Sequence, residues 1–259
     1  MIQFRHEKRL TSFWLGRKCV WCGKRAVVHT ARGYVKCEKC GRSKSLKRLR
    51  RELEILLCFV EQKPALQAAS QLRLSYPTVA KVYREVRELI FLQCELEGKK
   101  LSGEIEIEES YFGGKRKGTR GRGAQGKSVV LGILERNRKV YTRVVYTLSA
   151  EYLMDIIARK TRKGSVFFTD TFKSYNSLVH YGKHKTVNHS KTLVGKRNHH
   201  HINGIEGFWS YAKHKLYNYR RVSKANFALY LKEIEFRFNH RHEGILDSVI
   251  NIYFGYVSL

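Results

Sequence analysis

The chain has 259 residues, with 51 Lys and Arg against 22 Asp and Glu, a formal net charge of +29. Apolar residues make up 42%, enough for one packed core plus one or two small modules. An excess of one sign this large repels itself unless a polyanion offsets it. That argues against an enzyme of small neutral substrates and for a nucleic-acid partner, with an anionic membrane surface as the rival.

No apolar run reaches the roughly 18 residues a spanning helix needs, so no membrane partner is expected. Met1–Arg17 lacks an apolar stretch followed by small residues, so no signal peptide is expected and the cytoplasm is the expected compartment.

Four of the six cysteines come first, in two pairs: Cys19-Val-Trp-Cys22, fourteen residues, then Cys37-Glu-Lys-Cys40. Each Cys-x-x-Cys turn aims two thiolates at one point, and two such turns complete a tetrahedral Zn²⁺ site. With all four ligands supplied by protein, the zinc would be structural. Residues Arg25–Val35 between the pairs read as a hairpin turning at Gly33. Lys18, Arg25, Arg32, Lys36, Lys39 and Arg42 surround the site. Cys58 and Cys94 stand alone in apolar helical patterns and read as core residues.

Residues 43–100 have helical period. Within them, Leu66–Glu85 reads as a helix-turn-helix, with Leu66 and Ala69 on the first helix and Leu72–Ser75 as the turn. Pro77 falls in the first turn of a second helix, capped by Ser75 or Tyr76. Val79, Val82, Tyr83 and Val86 form its apolar stripe, leaving Thr78, Lys81 and Arg84 to face a DNA groove. An ordinary packed helix pair fits the same pattern.

Residues 101–259 alternate strand and helix before ending in helices. Strands are expected at Glu104–Phe112, Ser128–Leu134, Lys139–Tyr146 (after a turn at Asn137-Arg138), Ser165–Thr169 and about Lys185–Asn188. Helices are expected at Ser149–Thr161 and Thr171–Tyr181. The order of a three-stranded meander, helix, strand, helix, strand and then helices matches an RNase H-like α/β core. The expected domains are therefore 1–42, 43–100 and 101–259. The loop Gly113–Lys127 holds six cations and no acid: Lys115, Arg116, Lys117, Arg120, Arg122 and Lys127. Its glycines would let the backbone approach phosphates closely. A solvated flexible hairpin would look the same. The run His199–His201 reads as a loop into the next helix, with His201 or Asn203 available for phosphate contact.

Three acids stand out in this acid-poor chain. Glu108 lies near the end of the first of these strands, Asp170 at the end of a buried strand, and Glu206 early on a helix. Such carboxylates can hold two Mg²⁺ or Mn²⁺ ions roughly 4 Å apart, which activate one phosphodiester oxygen and stabilise the other. On the Glu206 helix, Ile205, Phe208, Trp209, Ala212 and Leu216 make one stripe, with Glu206, Ser210 and Lys213 beside it. Glu206 and Lys213 are two turns apart, about 10 Å along the axis. That is too far for a simple salt bridge and better suited to Lys213 holding a phosphate.

The stretches GEIEIEESYFGGKRKG (Gly103–Gly118), FFTDTFKSY (Phe167–Tyr175), HINGIEGFWSYAK (His201–Lys213) and LYLKEIEFRFNHR (Leu229–Arg241) carry a resemblance. They resemble the catalytic region of bacterial insertion-sequence transposases of the DDE class, in the group with an N-terminal zinc ribbon. The resemblance implies that Glu108, Asp170 and Glu206 are the metal-binding triad and that Lys213 is its trailing lysine. It also implies Mg²⁺- or Mn²⁺-dependent cleavage of element ends, strand transfer into target DNA, and assembly as a homo-oligomer on double-stranded DNA. One position departs from the family pattern, which has Asp where this chain has Glu108. The extra methylene shifts the carboxylate by roughly one bond length, and a misplacement of about 1 Å can cost on the order of a hundredfold in rate. Weakened cleavage is expected. Glu106 cannot substitute, because its Cα lies ~6.6 Å back along the strand. A catalytically inactive DNA-binding protein or repressor of the element ends is the alternative.

Overall fold

The computed structural model describes residues 19, 22–97, 100–113, 127–187, 201–219 and 222–256. The chain divides into two compact units, 1–90 with 242–259, and 91–241. The sequence had instead placed a boundary near 100 and the last helix with the α/β domain.

The first unit opens with three short antiparallel strands, β1 (Val27–Thr30), β2 (Tyr34–Cys37) and β3 (Ser43–Ser45), in that order across the sheet. Gly33 turns the β1–β2 hairpin at φ +75°, a left-handed conformation that a side chain would strain. Helices α1 (Leu46–Val60), α2 (Ala65–Leu72), α3 (Tyr76–Leu96) and the C-terminal α7 (Ile245–Tyr256) follow. Leu49, Leu53, Leu56 and Phe59 of α1 are buried, as are Val249, Tyr253 and Phe254 of α7. Tyr253 donates to Glu85 of α3 at 3.3 Å. These burials are why α7 groups with the N-terminal helices, and a local pattern cannot reveal such a long-range pairing.

The helix-turn-helix segment forms as expected. Arg73 closes α2 at φ 53°, Ser75 lies just before α3, and Val79, Val82, Tyr83 and Val86 are buried. Of the two residues placed on the first helix, Ala69 is buried beside Ala68, while Leu66 is 70% exposed. An eight-residue helix shows one narrow face to its neighbours, and here that face is the alanine pair.

The second unit holds a five-stranded mixed sheet. Its strands are β4 (Glu104–Phe112), β5 (Ser128–Glu135), β6 (Val140–Val145), β7 (Val166–Thr169) and β8 (Lys183–Thr186), in the order β6-β5-β4-β7-β8. The first three strands form an antiparallel meander. β7 joins β4 in parallel, and β8 joins β7 in parallel. This is the arrangement of an RNase H-like core. The helix expected over Thr171–Tyr181 is a shorter 3-10 helix, Lys173–His180.

Period two along β4 divides two cores. Ile105 and Ile107 join Leu153, Ile156 and Ile157 of α4 (Ala150–Lys160), with Phe167 and Tyr175. On the other face, Phe112 joins Ile205, Phe208 and Trp209 of α5 (Asn203–Asn218) and Phe227, Leu231 and Ile234 of α6 (Lys224–Asn239). Helix α6 also closes the free edge of β6. Asn239 bonds both the N–H and C=O of Val140, and the Glu235 carboxylate accepts from the Thr142 N–H and hydroxyl. An edge strand covered in this way cannot template pairing with another chain.

Candidate active site and metal centre

At the ribbon, Cys19 Sγ lies 3.7 Å from Cys40 Sγ and Cys22 Sγ lies 3.7 Å from Cys37 Sγ. All four sulfurs lie within 4.8 Å of one another. Zn–S bonds of about 2.3 Å in a tetrahedron put sulfurs about 3.8 Å apart, so the donor set fits zinc in type and in size. Two matching backbone turns build it. The Gly23 N–H donates to the Cys19 carbonyl and the Gly41 N–H to the Cys37 carbonyl, with Gly23 at φ +72° and Gly41 at φ +73°. Arg25, Arg32, Lys36, Lys39 and Arg42 are all exposed, while Lys18 lies outside the described residues.

The carboxylates meet at one end of the larger sheet. Glu106 is level with Phe168 in the parallel β4–β7 register, so two residues further on Asp170 comes level with Glu108. Across the other side, Glu108 pairs with Gly132 of β5. Helix α5 lies over the same face and brings Glu206 and Lys213. The Glu108 carboxyl is pushed up to about 7, first by burial and then by the negative charges of Glu206, Glu109 and Asp170, with Lys213 opposing. Asp170, Glu206 and Lys213 thus all lie near enough to Glu108 to shift its carboxyl. Lys213 Nζ also lies 5.9 Å over the Phe112 ring.

One Glu108 oxygen, Oε2, is buried without a hydrogen-bond partner. A buried acceptor among like charges is what a divalent cation would satisfy, so these hard oxygen donors fit Mg²⁺ or Mn²⁺. Among the described residues, the cysteines are the one group of three or more ligand-type side chains drawn together tightly enough to hold a single ion. The three carboxylates are not drawn together that tightly.

Local contacts fix each carrier. The Asp170 Oδ1 accepts from the Phe172 N–H at 3.0 Å, which ties the acid to the turn that follows β7. Glu109 points to the opposite face and accepts from the buried Tyr175 hydroxyl at 3.0 Å. Lys81 and Arg84, expected to face DNA, are exposed on α3, with Glu85 at 3.9 Å from Lys81 and Glu88 at 2.8 Å from Arg84. Lys127 lies beside Gly113, where a Cβ would meet its Cγ at 3.1 Å. Lys115, Arg116, Lys117, Arg120 and Arg122 lie outside the described residues, as do His199 and His200.

The sequence reading missed three residues. Glu106, set aside as a spare acid, is fully buried and bonded to Arg136 and to the backbone of α5. Its position on the Glu108 face was legible from period two, but no local signal marked Arg136. Gly132 was likewise unremarked, although only glycine fits beneath Trp209.

The sheet order defines a chain with an RNase H-like core. The ISXO2-like transposase domain matches residues 100–239, more than half of the chain, and the chain belongs to that family. An uncharacterized transposase-like protein of Haemophilus influenzae (strain KW20) is 44% identical over 103 residues, which are 39% of this chain and 82% of that protein. Among solved structures, the chain is similar to the catalytic core domain of BIV integrase, with TM-score 0.35 and 13% identity over 55% of this chain and 86% of that one. It is also similar to the protein in the Mos1 strand transfer complex, with TM-score 0.29 and 14% identity over 77% of each chain. No helix of the described residues is long and apolar enough to cross a membrane.

Proposed function

We propose that this protein is a DNA transposase that cleaves insertion-sequence ends and joins them to target DNA. The supporting observation is the convergence on Glu108 of Glu206, Asp170 and Lys213, three residues that lie far from it in the sequence. Glu108, Asp170 and Glu206 would hold Mg²⁺ or Mn²⁺. When bound, the ions supply Lewis-acid activation of the attacking oxygen and charge stabilisation of the leaving one. Lys213, on the exposed face of α5, holds a phosphate of the scissile strand and offsets the site's negative charge. Glu108, whose carboxyl is pushed up by burial and by the neighbouring acids, would give up its proton to a bound cation.

The ribbon zinc is structural. Lys81, Arg84, Lys127 and the cations of the 113–127 loop grip the DNA backbone of element ends and target. Neighbouring acids hold Lys81 and Arg84, so phosphate must displace Glu85 and Glu88 there. Two ends must meet for joining, so the working form is a homo-oligomer on DNA. A protein acting on genomic DNA in a bacterium works in the cytoplasm.

The deciding experiment is a strand-cleavage assay on an element end with Mg²⁺ or Mn²⁺, comparing the natural chain with Glu108→Asp. The aspartate variant should nick faster, by up to about a hundredfold if the methylene misplaces the carboxylate by about 1 Å. Equal activity would refute the assigned cost of Glu108. The one specific observation favouring the alternative, an inactive end-binding repressor, is the glutamate itself. That reading requires the natural chain to bind element ends and never nick them in either ion.

A further inference from the structure

One buried ion pair touches all three elements that carry the carboxylates. Glu106, on β4 two residues before Glu108, is 0% exposed. Its Oε1 accepts from Arg136 Nε at 2.8 Å, and its Oε2 accepts from the Ile205 N–H at 2.8 Å. Ile205 immediately precedes Glu206, so this bond fixes the first turn of α5 where its free N–H groups face a carboxylate. Arg136 lies just beyond β5 and donates to the His201 carbonyl at 2.6 Å and to Glu104 at 2.9 Å. Its guanidinium lies 3.9 Å over the ring of Phe168, two residues before Asp170 on β7. Nothing bulkier than glycine fits at 204, because a Cβ would come within 2.8 Å of Glu106 Oε2.

We propose that Glu106 and Arg136 are a positioning pair: they hold the start of α5 against β4 and β7, and so set the distance at which Glu206 faces Glu108 and Asp170 across the bound ions. The proposal rests on the carboxylate-site reading above. A carboxylate buried at this depth requires its partner. Removing Arg136 leaves the buried Glu106 carboxylate without its guanidinium, and removing the Glu106 carboxylate releases the Ile205 N–H; either change frees the helix start to move. Neither residue touches a metal; both act through Glu206.

The test is Mn²⁺ binding to the full-length, zinc-loaded protein, read as free Mn²⁺ by electron paramagnetic resonance. The proteins are the natural chain, Glu106→Gln, Arg136→Gln, the double variant, Arg136→Lys and Glu206→Gln. Partners behind metal ligands typically set affinity by about 10–100-fold, so each single Gln variant should bind Mn²⁺ at least about tenfold more weakly. The double variant should be no weaker than the singles. Arg136→Lys, which keeps the charge but not the fork, should recover part of the loss. A residue that only stabilises the fold would lower the melting temperature without this pattern of partial rescue and non-additivity. If Glu106→Gln does not fold, Arg136→Lys against Arg136→Gln decides by the same criteria. Natural affinity in both single variants, with Glu206→Gln weakened, overturns the positioning role alone. Natural affinity in Glu206→Gln as well overturns the carboxylate-site reading, and the pair's role with it.

Discussion

Trp209 of α5 packs into the space that Gly132 leaves on β5: a Cβ at Gly132 would lie 2.4 Å from Trp209 Cζ2 and 2.9 Å from Ile205 Cδ1. Gly132 is also the cross-strand partner of Glu108. The missing side chain therefore sets how closely the helix carrying Glu206 approaches the strand carrying Glu108. Overpacking of this kind costs about 1–3 kcal/mol. Gly132→Ala should lower stability by that amount in urea unfolding and weaken Mn²⁺ binding, whereas Gly207→Ala, with open space around it, should change neither through packing.

Glu108 should make metal binding pH-dependent. Its carboxyl sits at about 7 in the folded chain against an ordinary 4.5, so the fold favours the protonated form. Its stability contribution is complete below 4.5 and is lost as pH rises through 7. With zinc as the sole metal, the urea midpoint should fall across that window more in the natural protein than in Glu108→Gln. Adding Mn²⁺ at pH 6 should release a proton from the natural protein and not from the variant, as measured in weakly buffered solution. No difference in proton release would remove Glu108 from the metal site.

The ribbon should carry one zinc per chain, measurable by elemental analysis. Its three strands have four, four and three residues and cannot bury a core of their own. Cys37→Ser removes a ligand that is 0% exposed. The variant should lose the zinc and the amide protection of 27–45, while the unfolding transition of unit 91–241 persists.

Lys232 is 3% exposed, 2.9 Å from Glu235 and 2.8 Å from Glu95, with its ammonium 4.0 Å over the Tyr141 ring. The two carboxylates hold it charged well above the ordinary lysine range despite burial. Lys232→Met strands Glu235 without a counter-charge and should destabilise the protein by about 3–5 kcal/mol in urea unfolding. Adding Glu235→Gln should recover part of that loss. A strictly additive double variant would show that the two do not act as a pair.

The sequence by itself determined what depends on spacing. Two Cys-x-x-Cys turns specify a four-thiolate site because each turn brings its own pair together. Period two placed β4 at its observed ends, and period 3.6 placed the stripe from Ile205 to Trp209. Glu108, Asp170, Glu206 and Lys213 were legible because each sits at a recognisable place on its element. What only the tertiary structure decided depends on elements meeting. α7 joined the N-terminal helices, Leu66 faced solvent, and Glu106, read as a spare acid beside Glu108, proved to be bonded to Arg136 thirty residues away and to Ile205 ninety-nine away. The proposed carboxylate site combines both kinds of determination. Its residues are fixed by strand and helix period, but the distances between them are fixed by the β4–β7 register, by the gap at Gly132 and by a buried ion pair, and no local pattern encodes those.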